Sequence, residues 1–302
     1  MLAARDLLTR LLLDFVSIVS VRLPDDVLEY LVRASKVEEH GFAGLVYEAM
    51  FRNLEVSSRR RVPLCQDTGV LEFFIRVGDS FPYTVDLLDA VPEAVARATE
   101  AGFLRPNVVD PVSGVNTGDN VGPNLPWVDL GVVRGVNHAD VFLYLAGGGS
   151  SRPGSARVLD PAQGLEGVVR YVLETVSEYG PPACPPLVVG VGIGPTAEIA
   201  ALLSKRALLR PLGSRSPNPK IASLEEELER AINALGIGPQ GLGGKVTALA
   251  VHVEYSGRHP ATLAVGVSTS CWAMRRGHLR IEKDLSASVL SHGGVKLGKN
   301  GG

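Results

Sequence analysis

Apolar side chains recur at three- and four-residue intervals early in the chain, at Leu7, Leu11, Leu12 and Phe15 and again at Val27, Leu28, Leu31 and Val32. That spacing lines one face of an α-helix. The stretch Arg22-Leu-Pro-Asp-Asp26 separates the two runs, with Asp25 placed to cap the second. The first sixty residues therefore read as helices. From Leu71 to Val77 the period falls to two, with Leu71, Phe73, Ile75 and Val77 on one face and Glu72 and Arg76 on the other, which predicts a strand. Helical pattern returns near 84–102, 161–178, 196–209 and 223–235, and strand-like runs lie at 140–146, 187–193, 246–254 and 262–268. The expected class is mixed α/β (α+β): a helical section over about 1–60, then a mixed sheet with flanking helices over about 61–290. Both belong to one expected domain, 1–290. The proline-broken stretch 210–220 lies between apolar segments of similar character, so it reads as a surface excursion and not a linker. Residues 291–302 hold five glycines and almost nothing to bury, and are expected to be flexible unless a partner orders them.

Composition narrows the class. With 34 glycines and 20 prolines in 302 residues, the chain stays below the roughly 25–30% that marks low-complexity sequence. Thirty basic side chains against thirty-two acidic ones give a net charge of −2, so nothing draws the whole molecule toward nucleic acid or anionic lipid. Arg5, Asp6, Arg10 and Asp14 interrupt the apolar opening, and no uninterrupted apolar run reaches membrane-spanning length. The expectation is a cytoplasmic protein that binds neither nucleic acid nor membrane. Arg59, Arg60 and Arg61 form the one obvious basic run, which reads as a solvated face or a brush against an anionic partner.

Two glycine-rich stretches invite nucleotide-binding readings and fail them. Gly190-Val-Gly-Ile-Gly194 follows a strand and precedes a helix, but Pro195 occupies a fingerprint position and residues 209–222 offer no acid for a ribose. Near Lys245 a phosphate loop would need glycine where Pro239 stands and Ser or Thr where Val246 stands. The three cysteines are Cys65, Cys184 and Cys271. An odd count in a long chain is no disulfide framework, and none has a Cys-x-x-Cys partner. Buried, inert thiols are the plain reading. Against it, each borders a turn, and four prolines brace Cys184.

The stretches Pro63-Leu-Cys-Gln-Asp-Thr-Gly69, Asn116-Thr-Gly-Asp-Asn120, Gly147-Gly-Gly-Ser150, Ala183-Cys-Pro-Pro186, Leu235-Gly-Ile-Gly-Pro-Gln-Gly-Leu-Gly-Gly-Lys245 and His259-Pro, followed by Ser270-Cys271, stand in a telling order. In that order they resemble the alpha subunit of the two-subunit class I fumarases and tartrate dehydratases, over roughly residues 40–285. The resemblance implies that Cys65, Cys184 and Cys271 hold a [4Fe-4S] cluster with one iron left open as a Lewis acid. It makes Asp67 the catalytic acid/base and assigns Gln66, Arg105, Gly148 and His259 to a small dicarboxylate substrate. Taken without it, Asp67 is an Asx turn, Arg105 a solvated charge and His259 an ordinary loop residue. Asn116, Thr117, Asp119, Asn120 and Lys245 are left as turn formers and a surface cation. The loop after Gly147 departs from the family pattern, with Ser151-Arg152-Pro153 where an Asn-Lys pair is common.

The expected function is the alpha subunit of a hydro-lyase interconverting (S)-malate and fumarate. The alternative within the family is L(+)-tartrate dehydration to oxaloacetate. Too few residues follow Cys271 to supply the second domain of single-chain relatives, so a beta subunit is expected to complete the site, in an α2β2 assembly. Two readings of other classes stay open: an iron–sulfur electron carrier or sensor with His259 as a fourth ligand, and a structural Cys3His zinc site.

Overall fold

A computed structural model describes residues 2–38 and 41–297. Its elements run α1 (Leu2–Val21), α2 (Asp25–Val37), α3 (Phe42–Arg60), β1 (Val70–Gly78), α4 (Thr84–Glu100), β2 (Trp127–Val133), β3 (Ala139–Ala146) and the single turn α5 (Gly148–Ser151). There follow β4 (Ser155–Leu159), α6 (Gly164–Tyr179), β5 (Leu187–Gly194), α7 (Ala197–Ala207), α8 (Pro219–Ala234), β6 (Ala248–Tyr255), β7 (Leu263–Ser270), β8 (Arg276–Ile281) and β9 (Ala287–Val289). This is the expected mixed α/β class with helices leading. The chain divides into two compact units, one built from residues up to 25, 52–147 and 275 onward, the other from 26–51 and 148–274. Among the described residues no helix is long and apolar enough to cross a membrane.

The first unit is a five-stranded sheet in the order β2-β1-β3-β8-β9, with β1 and β2 parallel and the other pairs antiparallel. The period-two face of β1 is buried as its sequence demands: Leu71, Phe73, Ile75 and Val77 pack with Leu8, Leu12 and Phe15 of α1 and with Leu87, Val91 and Val95 of α4. The opposite face is mixed, with Phe74 and Tyr144 buried among charged side chains. There Arg76 pairs with Asp129 at 3.1 Å, and Asp140 accepts hydrogen bonds from His278 (2.8 Å) and Arg280 (2.9 Å). Asp25 begins α2 without standing outside it, and its carboxylate accepts the Gly293 amide at 2.6 Å. Part of the glycine-rich tail is thereby docked, since Asp25 N–H donates to Ser291 O at 3.1 Å and His292 is 2% exposed. Residues 298–302 of that tail lie outside the described residues.

The second unit is a four-stranded sheet in the order β4-β7-β5-β6, with β5 and β6 parallel and β7 antiparallel to β5. Strand β5 is buried along its whole length, and Leu228 and Ile232 of α8 with Val172 and Val176 of α6 close over it. A Cβ at Gly190 or Gly192 would collide with the backbone carbonyls of Ser204 and Ala200. The alternating glycines thus let α7 lie directly on the strand, which explains the glycine-rich stretch without a nucleotide. The 210–220 excursion is pinned by Glu225, fully buried on α8, which pairs with Arg210 at 2.6 Å and accepts the amides of Ser216 and Val253 at 2.9 Å each. Strands β2, β4, β8 and β9 were not apparent in the hydrophobic pattern. β2 and β4 are sheet edges with largely exposed side chains, so burial imposes no alternation on them.

Candidate active site

The Cys65 loop runs from the end of α3 into β1 and is held from both sides within the first unit. Leu64 is buried, donates its amide to Ser20 O at 3.0 Å and accepts from Asn53 Nδ2 at 2.9 Å. Cys65 is half-buried, and Gln66 is exposed. Asp67 accepts the Gly69 amide at 3.0 Å, so the Asx turn is present and fixes the carboxylate. Gly69 has φ +79°, and a Cβ on it would stand 2.7 Å from the carbonyl carbon of Ala146, so the turn is pressed against the end of β3.

Arg105 lies on the neighbouring segment, exposed, with Nη1 3.4 Å from the Gln66 carbonyl it donates to. Residues that the sequence reading passed over set its position. Thr68, fully buried, accepts from Arg105 N–H and from Asn107 Nδ2, each at 3.0 Å. Asn120, 1% exposed, donates to Arg105 O at 2.8 Å and accepts the Asn107 amide at 2.7 Å. The Asn116–Asn120 motif is therefore scaffold: Asn116 and Asp119 close Asx turns onto Gly118 and Val121, and Asn120 anchors the arginine segment. The sequence signal for this role was the motif itself, which turn chemistry alone leaves ambiguous.

In the second unit Cys184 ends the proline-bracketed turn before β5 and Cys271 follows the last residue of β7. Antiparallel pairing of β5 with β7, Val188 opposite Ser270, brings these two ends to one edge of the sheet. The Trp272 amide donates to the Cys184 carbonyl at 3.2 Å. Cys184 is exposed, with φ 58° and ψ 61°, a left-handed conformation that a non-glycine residue adopts only where its surroundings hold it there. The Gly148–Ser151 turn joins the same edge, where Thr269 Oγ1 donates to Ser150 O at 2.6 Å, and Gly148 itself is exposed. So does the 235–247 loop, where the Gln240 amide donates to Pro185 O at 2.7 Å. Lys245 is exposed, and its amide and that of Val246 converge on the buried Glu38 carboxylate. Burial, and then the charge of Glu38, push the Tyr47 phenol above its ordinary value.

His259 does not join that edge. It lies in the loop before β7, exposed, with Nδ1 accepting the Ala261 amide at 3.1 Å. The eight residues of β7 separate it from Cys271, on the order of 25 Å at the strand rise per residue. Within one unit it therefore lies at the opposite end of β7 from Cys271.

The donor chemistry fits an iron–sulfur group. None of the three thiols is spent in a disulfide, and each is at least partly exposed. Among the described residues no three His, Cys, Asp or Glu side chains converge tightly enough for a single metal ion. A cluster makes no such demand, because each thiolate binds a different iron.

Comparison with known proteins gives one consistent answer. The family model described as Fumarate hydratase (Fumerase) matches residues 9–280. The L(+)-tartrate dehydratase subunit alpha of Escherichia coli (strain K12) is 45% identical over 285 residues, 94% of this chain and 94% of the relative. A protein of Methanocaldococcus jannaschii named putative L(+)-tartrate dehydratase subunit alpha is 40% identical over 268 residues, 88% of this chain and 94% of its own. With the match spanning almost the whole chain, this protein belongs to the fumarate hydratase (Fumerase) family and is a hydro-lyase.

Proposed function

We propose that this chain is the cluster-bearing alpha subunit of a two-subunit cytoplasmic hydro-lyase that dehydrates L(+)-tartrate to oxaloacetate. The observation that carries the reading is the junction of the Cys184 turn with the Cys271 turn, in a chain 45% identical to a relative named for that substrate. A [4Fe-4S] cluster on Cys65, Cys184 and Cys271 would supply an iron with open coordination positions, able to make hydroxide a tolerable leaving group. The protein's own groups do the rest. Asp67, fixed by its Asx turn, takes the proton from the carbon beside the departing hydroxyl. Arg105 pairs with a substrate carboxylate through its planar fork of donors, and Gln66 and the exposed Gly148 backbone orient the substrate. Loss of water leaves an enol whose keto form is oxaloacetate. The relatives are named as alpha subunits, which supports a beta subunit that completes the site, in an α2β2 assembly.

A second reading, interconversion of (S)-malate and fumarate, is favoured by the description of the family model. Both are tested by purifying the chain anaerobically with its beta subunit, assaying iron, zinc and acid-labile sulfide, and comparing turnover on the two substrates. Iron with sulfide and a clear preference for tartrate are expected. Preference for malate gives the second reading. Zinc without sulfide, a cluster spectrum indifferent to either substrate, or full activity without the beta subunit overturns the proposal.

A further inference from the structure

A cavity of about 360 Å³ lies in the first unit, between the last turns of α1, the end of α3 and the docked part of the C-terminal tail. Among the described residues its wall carries the cations Arg22, Arg61 and Lys296, the Ser58 hydroxyl and the Asp14 carboxylate. None of the three cations has an ion-pair partner among the described residues. Three like charges around one hollow repel one another, and a bound anion would turn that repulsion into charge-assisted hydrogen bonds. The hollow's size is at the lower end of small-molecule sites. Phe103 supplies an apolar wall.

The site is built and not accidental in its parts. The tail reaches it through three anchors: Ser291 O accepts from Asp25 N–H at 3.1 Å, Gly293 N–H donates to Asp25 Oδ2 at 2.6 Å, and Leu297 packs on the first unit's core. Lys296 is thus held between fixed neighbours. Arg61, the last of the basic run, has φ 52°, a left-handed turn that bends the chain away from α3. The residue between the lining positions Ser17 and Val21 that matters most is Ser20, whose carbonyl holds Leu64 and whose hydroxyl donates to Phe103 O at 2.9 Å. The cavity therefore adjoins the segment that carries Arg105 through Phe103, while the described lining includes neither Cys65 nor Arg105.

We propose that this cavity binds a small polyanion, a phosphate- or polycarboxylate-bearing molecule gripped by Arg22, Arg61 and Lys296. The test is isothermal titration of the full chain with inorganic pyrophosphate and, separately, with tricarballylate, at fixed ionic strength. At least one anion is expected to bind. The triple variant Arg22→Gln, Arg61→Gln, Lys296→Gln should weaken it by at least about 10-fold, whereas Arg105→Gln should leave it unchanged. Should the triple variant not fold, Lys296→Gln alone, on an exposed position, should weaken binding by about threefold. Which anion binds names the chemistry. Absence of binding by both at millimolar concentration, equal affinity in the cavity variants, or loss of binding in Arg105→Gln overturns the site.

Discussion

The backbone amide of Trp272 is hydrogen-bonded to the carbonyl of Cys184 at 3.2 Å, joining two turns that are far apart in sequence. The bond is a consequence of sheet topology. β5 begins where β7 ends, so the turn before one and the turn after the other meet at a shared end of the sheet. Rigid strands then fix the separation of two thiols that flexible loops alone would leave undefined.

Arg105 depends on a hydroxyl that never needs to touch substrate. Thr68→Val removes the acceptor for both the Arg105 amide and Asn107 Nδ2 inside a fully buried pocket. It should cost about 1–3 kcal/mol in stability. A rise in KM larger than the fall in kcat, measured on the assembled enzyme, is the expected signature; unchanged kinetics would remove Thr68 from the positioning of Arg105.

Glu225 should be among the most sensitive positions outside the site. Glu225→Ala leaves Arg210 without its 2.6 Å partner and orphans two backbone amides in the interior. A loss of about 3–5 kcal/mol is expected, read by urea denaturation of the purified chain. An effect below about 1 kcal/mol would mean that solvent reaches the pair in solution.

Acid should weaken the first unit through Asp140. Burial alone would raise its pKa, but hydrogen bonds from His278 and Arg280 outweigh that and hold the carboxyl well below its ordinary range. A depressed folded pKa means the stabilisation is complete above the unfolded value, near about 4, and is lost as pH falls toward the folded one. Asp140→Asn should lower the melting temperature at neutral pH and flatten its decline under acid. A variant that melts like the wild type from pH 7 to pH 3 would contradict this.

Gly192→Ala tests why the glycine-rich strand exists. The added methyl meets the Ala200 carbonyl, and backbone cannot swing aside as a side chain can. Destabilisation of about 1–3 kcal/mol is expected, with no NAD(P) binding by either form in equilibrium dialysis. Measurable dinucleotide binding lost in the variant would restore the nucleotide reading.

How much was legible depended on whether information was local. The alternation of Leu71, Phe73, Ile75 and Val77 announces a buried strand face because side chains of a strand alternate regardless of what covers them. The helices of the first sixty residues follow from their own local period, and the strands through 187–193 and 262–268, buried along their whole length, from short apolar runs. Strands β2 and β4 escaped because their side chains are largely exposed, so no core imposes an alternation on them.

The sequence by itself determined the helical opening, the main strands, the cysteine-bearing turns and, through the order of its motifs, the family. Only the tertiary structure decided that Cys184 and Cys271 share an edge while His259 stands at the other end of β7. It alone showed that Asn120 holds a neighbouring segment and is more than a turn former, and that Arg22, Arg61 and Lys296 line one cavity. The reason is physical: periodicity and turn chemistry act between residues a few positions apart, whereas strand pairing joins residues without regard to their distance along the chain.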